Sequence, residues 1–247
     1  MKELDELKEK FYQIKEKGWI QSATKGNSGV GTTFEKQLGK DLENFEIPDY
    51  NGIEIKTKYS NKENYITLFS AAPDSYLFEI KRIHHLYGYP DKEFPQYNIF
   101  NLAVYSNKKV TINQNNYFEL IIDYKQERIY FNVYNQSLKL IDNLSSWSFN
   151  MLKEKLYKKL KYLLLVKAER KYQDGIVYFR YKEAKFYKIK NFELFLKLIE
   201  SRKIRVCFKI GIYKSGKKLG ELHDHGTSFS IEESELEKLF TLTEEFY

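Results

Sequence analysis

Hydrophobic residues near the start of the chain recur at the spacing of an α-helix. Leu4, Leu7, Phe11 and Ile14 are three or four residues apart, so they would share one face of a helix that ends near Gly18. Most of the residues between them are charged or polar. The pattern predicts an amphipathic helix with one buried face.

Helical and strand patterns alternate through the rest of the chain. A helix is predicted after a glycine-rich turn, with Thr32 or Thr33 as its N-cap, and another after Ser146 or Ser148. Two more helices are predicted over residues 191–203 and about 232–240. Alternation predicts strands over residues 48–58, 65–69, 118–124, 128–134, 162–168, 176–181 and 204–213, and the pair 118–124 and 128–134 reads as a hairpin.

Residues 71–116 show neither period. They hold three of the four prolines together with many Asn, Tyr and Lys residues, which predicts a long irregular insertion. No internal repeat and no linker rich in Ser, Gly and Pro divides the chain. We therefore expect one mixed α/β unit, built as two lobes.

Composition limits the class of protein. The 247 residues are 42% hydrophobic and 17% aromatic, which is typical of a globular chain and not of a disordered one. Lys and Arg number 41 against 34 Asp and Glu, so the net charge of +7 permits a polyanionic partner without requiring one. The single cysteine, Cys207, excludes an intramolecular disulfide and a multi-cysteine zinc site.

The sequence also bears on location. The N-terminal stretch MKELDELKEKF is charged throughout and lacks the apolar region of a signal peptide. The longest apolar run, residues 163–166, is far shorter than the ~20 residues that span a bilayer. We expect a cytoplasmic protein that neither carries an export signal nor crosses a membrane.

The stretch PDYNGIEIKTK, residues 48–58, is the first candidate for chemistry. Strand alternation places Glu54 and Lys56 on one face, and Asp49 lies in the turn before the strand, where its carboxylate can reach that of Glu54. Two carboxylates form an oxygen site suited to Mg²⁺, and the lysine can orient a water or neutralise charge on a phosphate. The pattern predicts metal-assisted phosphodiester hydrolysis, while a surface strand with a Glu–Lys pair stays open as the alternative.

The helix after KGNSGVGTTFE adds a further acid. If this helix packs beside the strand, Glu35 supplies a third carboxylate, and the amides of residues 29–33 face a DNA phosphate. An exposed Glu35 beside Lys36 is the alternative. The loop lacks the G-x-x-x-x-G-K-[ST] pattern, so contact with phosphate does not imply a nucleotide.

A second candidate is KSGKKLGELHDHGTSFS, residues 214–230, which combines lysines, histidines, an aspartate and hydroxyls in a turn-rich segment. Such a loop can enter a DNA groove, where Lys reads guanine and Asp accepts from cytosine. A solvated hairpin remains the alternative, and a zinc site is disfavoured because His223 and His225 have no cysteine cluster. His84 and His85 are adjacent and fit a surface or DNA-backbone role better than catalysis.

Several segments together resemble the MvaI/BcnI type of restriction endonuclease, in the MutH-like branch of the PD-(D/E)XK nucleases. The matching segments, which occur in the family's order, are KGNSGVGTTFE (25–35), PDYNGIEIKTK (48–58), ITLFSAAPD (66–74), LIDNLSSWSF (140–149), KKLKYLLLVKAE (158–169) and IGIYKSGKKLGELHDHGTSF (210–229). A chance E-x-K pattern would not bring these companions with it.

The resemblance implies a fold and a set of roles. The fold would be a restriction-endonuclease-like α/β core, with a catalytic lobe of about 1–70 and 117–170 and a recognition lobe of about 71–116 and 171–247 that together form a DNA cleft. Asp49, Glu54 and Lys56 would be catalytic with Glu35 in support, and Asp49, Glu54 and the Ile55 carbonyl would hold Mg²⁺, for which Mn²⁺ can substitute.

The implied activity is a type II restriction endonuclease that cuts double-stranded DNA at a short sequence. It would act as a monomer that cuts the two strands in turn, and the host would carry a companion DNA methyltransferase. The residues expected to contact DNA are Lys25, Asn27, Ser28, Gly29, Thr32, Thr33, His84, His85, Tyr87, Lys209, Tyr213, Lys214, Ser215, Lys217, Lys218, His223, Asp224, His225 and Ser230.

Three positions depart from the family's pattern. Ser230 and Lys209 stand where relatives carry arginine, and Cys207 stands where an acid is expected. Because neither serine nor lysine reproduces the planar fork with which arginine reads guanine, the target known for the family is not expected to carry over. A MutH-like strand-nicking repair endonuclease and a DNA-binding protein with a decayed nuclease site remain the alternatives.

Overall fold

The computed structural model describes residues 2–24, 29–39, 48–59, 65–75, 79–112 and 114–247. Two compact units are formed from interleaved segments of the chain. Unit 1 comprises Met1–Asn64, Tyr157–Lys190 and Phe240–Tyr247, and unit 2 comprises Tyr65–Leu156 and Asn191–Leu239, in both cases within the described ranges.

Helices and strands alternate irregularly along the chain. The α-helices in the described part are α1 (Lys2–Glu16), α2 (Gly29–Gln37), α3 (Glu79–Tyr87), α4 (Phe149–Leu160), α5 (Phe192–Glu200) and α6 (Leu236–Leu239). The strands are β1 (Ile20–Gln21), β2 (Ile53–Tyr59), β3 (Tyr65–Ser70), β4 (Tyr89–Pro90), β5 (Asn98–Val104), β6 (Val110–Thr111), β7 (Asn116–Asp123), β8 (Arg128–Asn135), β9 (Leu140–Asp142), β10 (Ser146–Ser148), β11 (Tyr162–Gln173), β12 (Ile176–Ile189), β13 (Ile204–Ile212), β14 (Leu222–Asp224), β15 (Ser228–Glu232) and β16 (Phe240–Phe246). Short 3₁₀ turns lie at Gly216–Lys218 and Glu233–Glu235.

Unit 1 is built on one mixed sheet with the order β1-β12-β11-β2, in which β16 also pairs with β12. The long strands β11 and β12 form an antiparallel hairpin, and β2 runs parallel to β11 with Glu54 opposite Leu163. Residues 163–166 of β11 are all buried, so both faces of the strand are covered at this point. This burial explains why the four residues form a continuous apolar run. The sheet thereby holds β2 beside the buried N-terminal part of β11.

Helices α1 and α2 complete the core of unit 1. Leu4, Leu7, Phe11 and Ile14 of α1 are buried, as their spacing predicts, and they join side chains from α2, β2, β11 and β12 in one cluster. Burial of this apolar stripe stabilises α1, since an isolated helix of this length is marginal in water.

Unit 2 contains two further sheets. One has the order β10-β8-β7-β6 with β9 on β8, and the other has the order β3-β15-β13-β5-β4 with β14 on β13. An aromatic core connects them: the ring of Phe208 on β13 lies 4.8 Å from that of Phe131 on β8 and 5.4 Å from that of Phe100 on β5. Buried phenylalanines contribute to this core and also to the core of unit 1.

The expected mixed α/β class is confirmed, and the helix over α1 and the hairpin of β7 and β8 lie where the patterns predict them. Two expectations were wrong. Residues 71–116 are not irregular, because they contain α3 and the strands β4, β5 and β6. The segment after Glu232 is not one helix, because α6 is a single turn that leads into β16.

The boundaries of the two units also differ from those expected for the two lobes. The hairpin β7–β8 groups with unit 2 rather than with the strand that carries Glu54, and β12 and β16 group with unit 1. Sheet pairing explains the difference, since β12 and β16 belong to the same sheet as β2. In the described part of the chain, no helix combines the length and the apolar character needed to cross a bilayer.

Candidate active site and nucleic-acid surface

A tight turn precedes the strand that carries the candidate catalytic residues. Tyr50 and Ile53 exchange backbone hydrogen bonds of 2.9 and 2.8 Å, which leaves Asn51 and Gly52 as the two residues of the turn. Both have positive φ, 43° and 88°. Asn-Gly is the favoured pair for a two-residue turn with this backbone, because Gly carries no Cβ and Asn tolerates the left-handed region.

This turn positions Asp49. Its Oδ2 accepts a hydrogen bond from the backbone N–H of Ile55 at 2.9 Å, so the carboxylate lies beside the next strand residues rather than in solvent. Its charge is felt by Glu54, since Asp49 is one of the groups that raise the pKa of the Glu54 carboxyl. The two acids are thus near enough for their charges to interact.

Glu54 is buried, with only 1% of its surface exposed, and it meets cations at one oxygen. Lys56 Nζ lies 2.5 Å from Glu54 Oε1, as the alternation of β2 requires for residues two apart on one face. Glu54 Oε2 is also buried and has no hydrogen-bond partner among the described residues. A buried carboxylate oxygen without a partner is costly, which marks the atom as a site for a ligand.

The electrostatics of Glu54 follow from this burial. Loss of hydration raises the pKa of the Glu54 carboxyl above its usual range and Asp49 raises it further, while Lys56 and Lys159 oppose the shift. A divalent cation would favour the charged form in the same way as the two ammonium groups.

The residues present fit a hard divalent cation. Asp49 and Glu54 offer carboxylate oxygens, and the orphaned Oε2 of Glu54 is the observation that favours a metal here. Among the described residues there is no cluster of three or more His, Cys, Asp and Glu side chains arranged for a metal. The site therefore offers a pair of carboxylates, and backbone and water would have to complete the coordination.

Helix α2 packs against β2, and Gly31 makes the contact possible. A Cβ on Gly31 would lie 3.2 Å from Thr57 Oγ1 and 3.7 Å from Glu35 Oε1. Glu35 is therefore close to the strand, as expected, but on the side of Thr57, where its charge also acts on the buried Tyr181 hydroxyl. The structure does not group it with Asp49 and Glu54 as a third carboxylate among the described residues.

Sequence reasoning missed Lys159. This residue lies in the last turn of α4, and its Nζ is 3.6 Å from Glu54 Oε1. The end of α4 contains several lysines, and the sequence gives no reason to choose one of them. The contact arises because α4 leads directly into β11, which pairs with β2.

Of the residues expected to contact phosphate near α2, the structure describes Gly29, Thr32 and Thr33. Lys25, Asn27 and Ser28 lie outside the described residues. The expectation of an N-cap at Thr32 or Thr33 was wrong, since α2 already begins at Gly29. Thr33 is buried and accepts a hydrogen bond from the Ala23 N–H at 2.9 Å, whereas Thr32 is half-buried. The Thr33 side chain thereby fixes the backbone at Ala23.

The second candidate surface lies on β13 and β14 of unit 2. Gly211 pairs with His223 across this hairpin, and the rings of Tyr213 and His223 stack at 4.1 Å and 6°. The His225 ring lies 4.0 Å from that of His223. Asp224 is exposed, and its Oδ1 accepts from the Gly226 N–H at 2.8 Å. This stack leaves His225 and Asp224 exposed at the surface.

The remaining members of the predicted DNA surface divide into exposed and engaged side chains. Lys209, Ser215, Lys217, Lys218 and His85 are exposed. Lys214 is also exposed but pairs with Glu93 Oε2 at 2.7 Å and with Asp91 Oδ2 at 3.3 Å.

Two residues of α3 form hydrogen bonds with other parts of unit 2. A ring nitrogen of His84 lies 2.7 Å from the Asn98 carbonyl oxygen, and the Tyr87 hydroxyl donates to Asp142 Oδ2 at 2.5 Å. These contacts give both side chains a structural role.

Burial lowers the pKa of the His225 ring, and the nearby His223 ring lowers it further. The His225 ring is therefore favoured in its neutral form.

Comparison with known proteins identifies the family. The model of the MvaI/BcnI restriction endonuclease family matches residues 8–240. The chain belongs to this family. The resemblance inferred from its motifs is confirmed, and the family is one of restriction endonucleases, which are DNA nucleases.

Solved structures of the MvaI/BcnI family support the same conclusion. A structure described as "Restriction endonuclease MvaI-cognate DNA substrate complex" matches with a TM-score of 0.92 and 33% identity, over 98% of this chain and 98% of that chain. One described as "Restriction endonuclease MvaI in the absence of DNA" matches with a TM-score of 0.61 and 32% identity, over 98% and 97%. No curated protein sequence matched.

The three positions expected to depart from the pattern of the MvaI/BcnI family lie on one sheet of unit 2. Cys207 on β13 pairs with Ser228 of β15 and is 9% exposed, while Lys209 follows two residues later on the same face and is exposed. Ser230 is 4% exposed, and its hydroxyl lies 3.4 Å from that of Thr67. The short side chain at residue 230 stays within the sheet.

Proposed function

We propose that the protein is a type II restriction endonuclease that hydrolyses double-stranded DNA at a short specific sequence and depends on Mg²⁺, with Mn²⁺ as a substitute. The observation that carries this proposal is the geometry at the start of β2, where Asp49, Glu54 and Lys56 converge and Glu54 Oε2 is buried without a partner among the described residues. Membership of a restriction endonuclease family supplies the substrate class.

Each of these residues has a distinct role in the proposal. Asp49, Glu54 and the Ile55 carbonyl hold the cation, which when bound supplies Lewis-acid activation of the phosphodiester and of a water. Lys56 Nζ orients the attacking water and counters the negative charge that develops on the phosphate. Glu35 supports the site from α2, through waters rather than as a direct ligand.

DNA binding is assigned to two segments, the start of α2 and the loop that contains His223, Asp224 and His225. The N-terminal turns of α2 offer backbone amides to phosphate, and the stacked loop of His223, Asp224 and His225 offers side chains to base edges. Since Lys209 and Ser230 replace arginines of the family's pattern, the target is proposed to differ from that of relatives. The enzyme is proposed to act as a cytoplasmic monomer that cuts the strands in turn, with a methyltransferase in the host.

Digestion of phage and plasmid DNA by the purified protein with Mg²⁺ tests this function. Discrete fragments, abolished by a chelator, are expected, and sequencing of their ends gives the target and the cut positions. Nicked circles that are not linearised would instead indicate a strand-nicking enzyme. Unbroken DNA under all divalent ions, with retained binding, would indicate a decayed site and contradict the proposal.

The Lys56→Ala variant separates catalysis from binding. It is expected to bind DNA like the parent and to lose cleavage by at least ~10²-fold, the lower range for loss of a group that acts in the transition state. The exposed Lys153 of α4 provides a charge-matched control, and Lys153→Ala is expected to cleave like the parent. Parental cleavage by Lys56→Ala would show that the site is misplaced.

A further inference from the structure

Glu54 Oε1 lies between two ammonium groups from different elements. Lys56 Nζ reaches it from β2 at 2.5 Å, and Lys159 Nζ reaches it from the last turn of α4 at 3.6 Å. The Lys159 side chain is 18% exposed, which places its charge close to the buried carboxylate and partly out of water. Charges in such surroundings interact more strongly than at a surface.

The two lysines are held differently. The Lys56 contact is a short charged hydrogen bond, whereas the Lys159 separation is that of an ion pair without a hydrogen bond. If Lys56 turns toward a substrate phosphate or water, Glu54 loses its closer partner. A buried carboxylate without a counter-charge is strongly unfavourable, and Lys159 is placed to prevent that state.

We propose that Lys159 is a positioning residue that keeps Glu54 Oε1 neutralised, so that Lys56 is released for catalysis. The proposal rests on the proposed function of this site. With Lys159 in place, the ammonium groups of Lys56 and Lys159 balance the two carboxylates of Asp49 and Glu54. Without Lys159, these carboxylates exceed the ammonium groups by one charge.

This charge count gives the proposal a distinctive signature. Removal of Lys159 leaves a more negative site, so a divalent cation should bind more tightly. At the same time Lys56 becomes the one close cation of Glu54 among the described residues and is held more firmly, so cleavage should slow. Tighter metal binding together with slower cleavage is not expected from a lysine that only supports the fold.

The test compares Lys159→Met with Lys159→Arg and with Lys158→Met, whose side chain is exposed on the same turn. Mn²⁺ affinity is measured by titration calorimetry without DNA, and cleavage of plasmid DNA is measured at saturating Mg²⁺. For Lys159→Met we expect several-fold tighter Mn²⁺ binding and ~10–100-fold slower cleavage, the usual range for loss of an outer-shell partner. Lys159→Arg should restore both quantities, and Lys158→Met should match the parent in Mn²⁺ affinity.

Each result decides the proposal. Parental values in Lys159→Met, or weaker Mn²⁺ binding together with slower cleavage, would overturn it in favour of a bystander or a purely structural contact. Lys159→Gln serves if the Met variant does not fold, as judged by thermal unfolding. If the parent binds Mn²⁺ but cuts no DNA, the proposed function fails while the Mn²⁺ comparison still tests the role of Lys159.

Discussion

The carboxylate of Asp49 accepts the backbone N–H of Ile55 at 2.9 Å, so the acid of the turn is fastened to the strand that carries Glu54. One carboxylate oxygen is used for this bond, and the other remains available for a ligand. The turn and the strand are thereby one structural unit. The position of the Asp49 side chain therefore depends on a hydrogen bond that a neutral side chain can also accept.

Two substitutions at Asp49 separate its hydrogen bond from its charge. Asp49→Asn retains an oxygen acceptor for the Ile55 N–H, so its stability should be close to that of the parent, while Asp49→Ala should lose about 1 kcal/mol of unfolding free energy. Both should fail to cleave DNA at every Mg²⁺ concentration. Urea unfolding and plasmid digestion measure the two effects, and cleavage by Asp49→Asn at high Mg²⁺ would argue against a role in metal binding.

The turn itself gives a second prediction. Gly52 has φ 88°, and no heavy atom of the described residues outside its immediate neighbours lies within 4 Å of a Cβ built there. Gly52→Ala should therefore destabilise the protein through the backbone alone, by about 1–2 kcal/mol. Cleavage should fall as well, because a shifted turn moves Asp49.

Gly18 is a matched control for this prediction. It also has positive φ, 67°, and an equally open surrounding among the described residues, but it follows α1. Gly18→Ala should cost similar stability in urea unfolding while cleavage at a temperature well below unfolding stays parental. Equal losses of cleavage in both variants would mean that the turn has no specific role.

The geometry of the candidate active site could be predicted from the sequence because it is local. Asp49, Glu54 and Lys56 lie in one turn and one strand, where alternation alone fixes which side chains share a face. The turn itself also has a sequence basis, since the pair Asn51–Gly52 favours positive φ.

Features that depend on pairing between distant segments could not be predicted. Strand β5 lies between β13 and β4, and its buried positions do not alternate strictly, so residues 98–104 showed no period. Strand β16 carries several polar residues and is defined by its pairing with β12. The contact of Lys159 with Glu54 likewise arises from chain segments far apart in sequence.

A network in unit 2 predicts a dependence of stability on pH. Asp142 Oδ2 accepts from Arg82 at 2.6 Å and from Tyr87 at 2.5 Å. Burial alone would raise the pKa of the Asp142 carboxyl, but these donors and the Leu144 N–H outweigh burial and lower it. A lowered folded pKa means that the charged form stabilises the fold above the unfolded pKa of ~3.9, and that this contribution is lost as the pH falls through the folded pKa.

Asp142→Asn should therefore be less stable than the parent by about 2 kcal/mol near pH 7, with the difference shrinking below about pH 4. Urea unfolding of both proteins from neutral to acid pH measures it. The exposed Asp174 in the turn between β11 and β12 is the control, because Asn also tolerates its positive φ of 50°. A difference that stays constant with pH would show that lost packing, not charge, is responsible.

The basic loop after β13 predicts how DNA affinity depends on salt. Lys217 and Lys218 are exposed, whereas Lys214 is already paired with Glu93 and Asp91. If the first two meet phosphates, each change to glutamine should lower the slope of log affinity against log salt by about 1. Lys214→Gln should lower it less, because its charge is partly neutralised before binding. Binding isotherms measured in the presence of a chelator, over a range of NaCl concentrations, give these slopes. An unchanged slope in the double variant of Lys217 and Lys218 would place the phosphate contacts elsewhere.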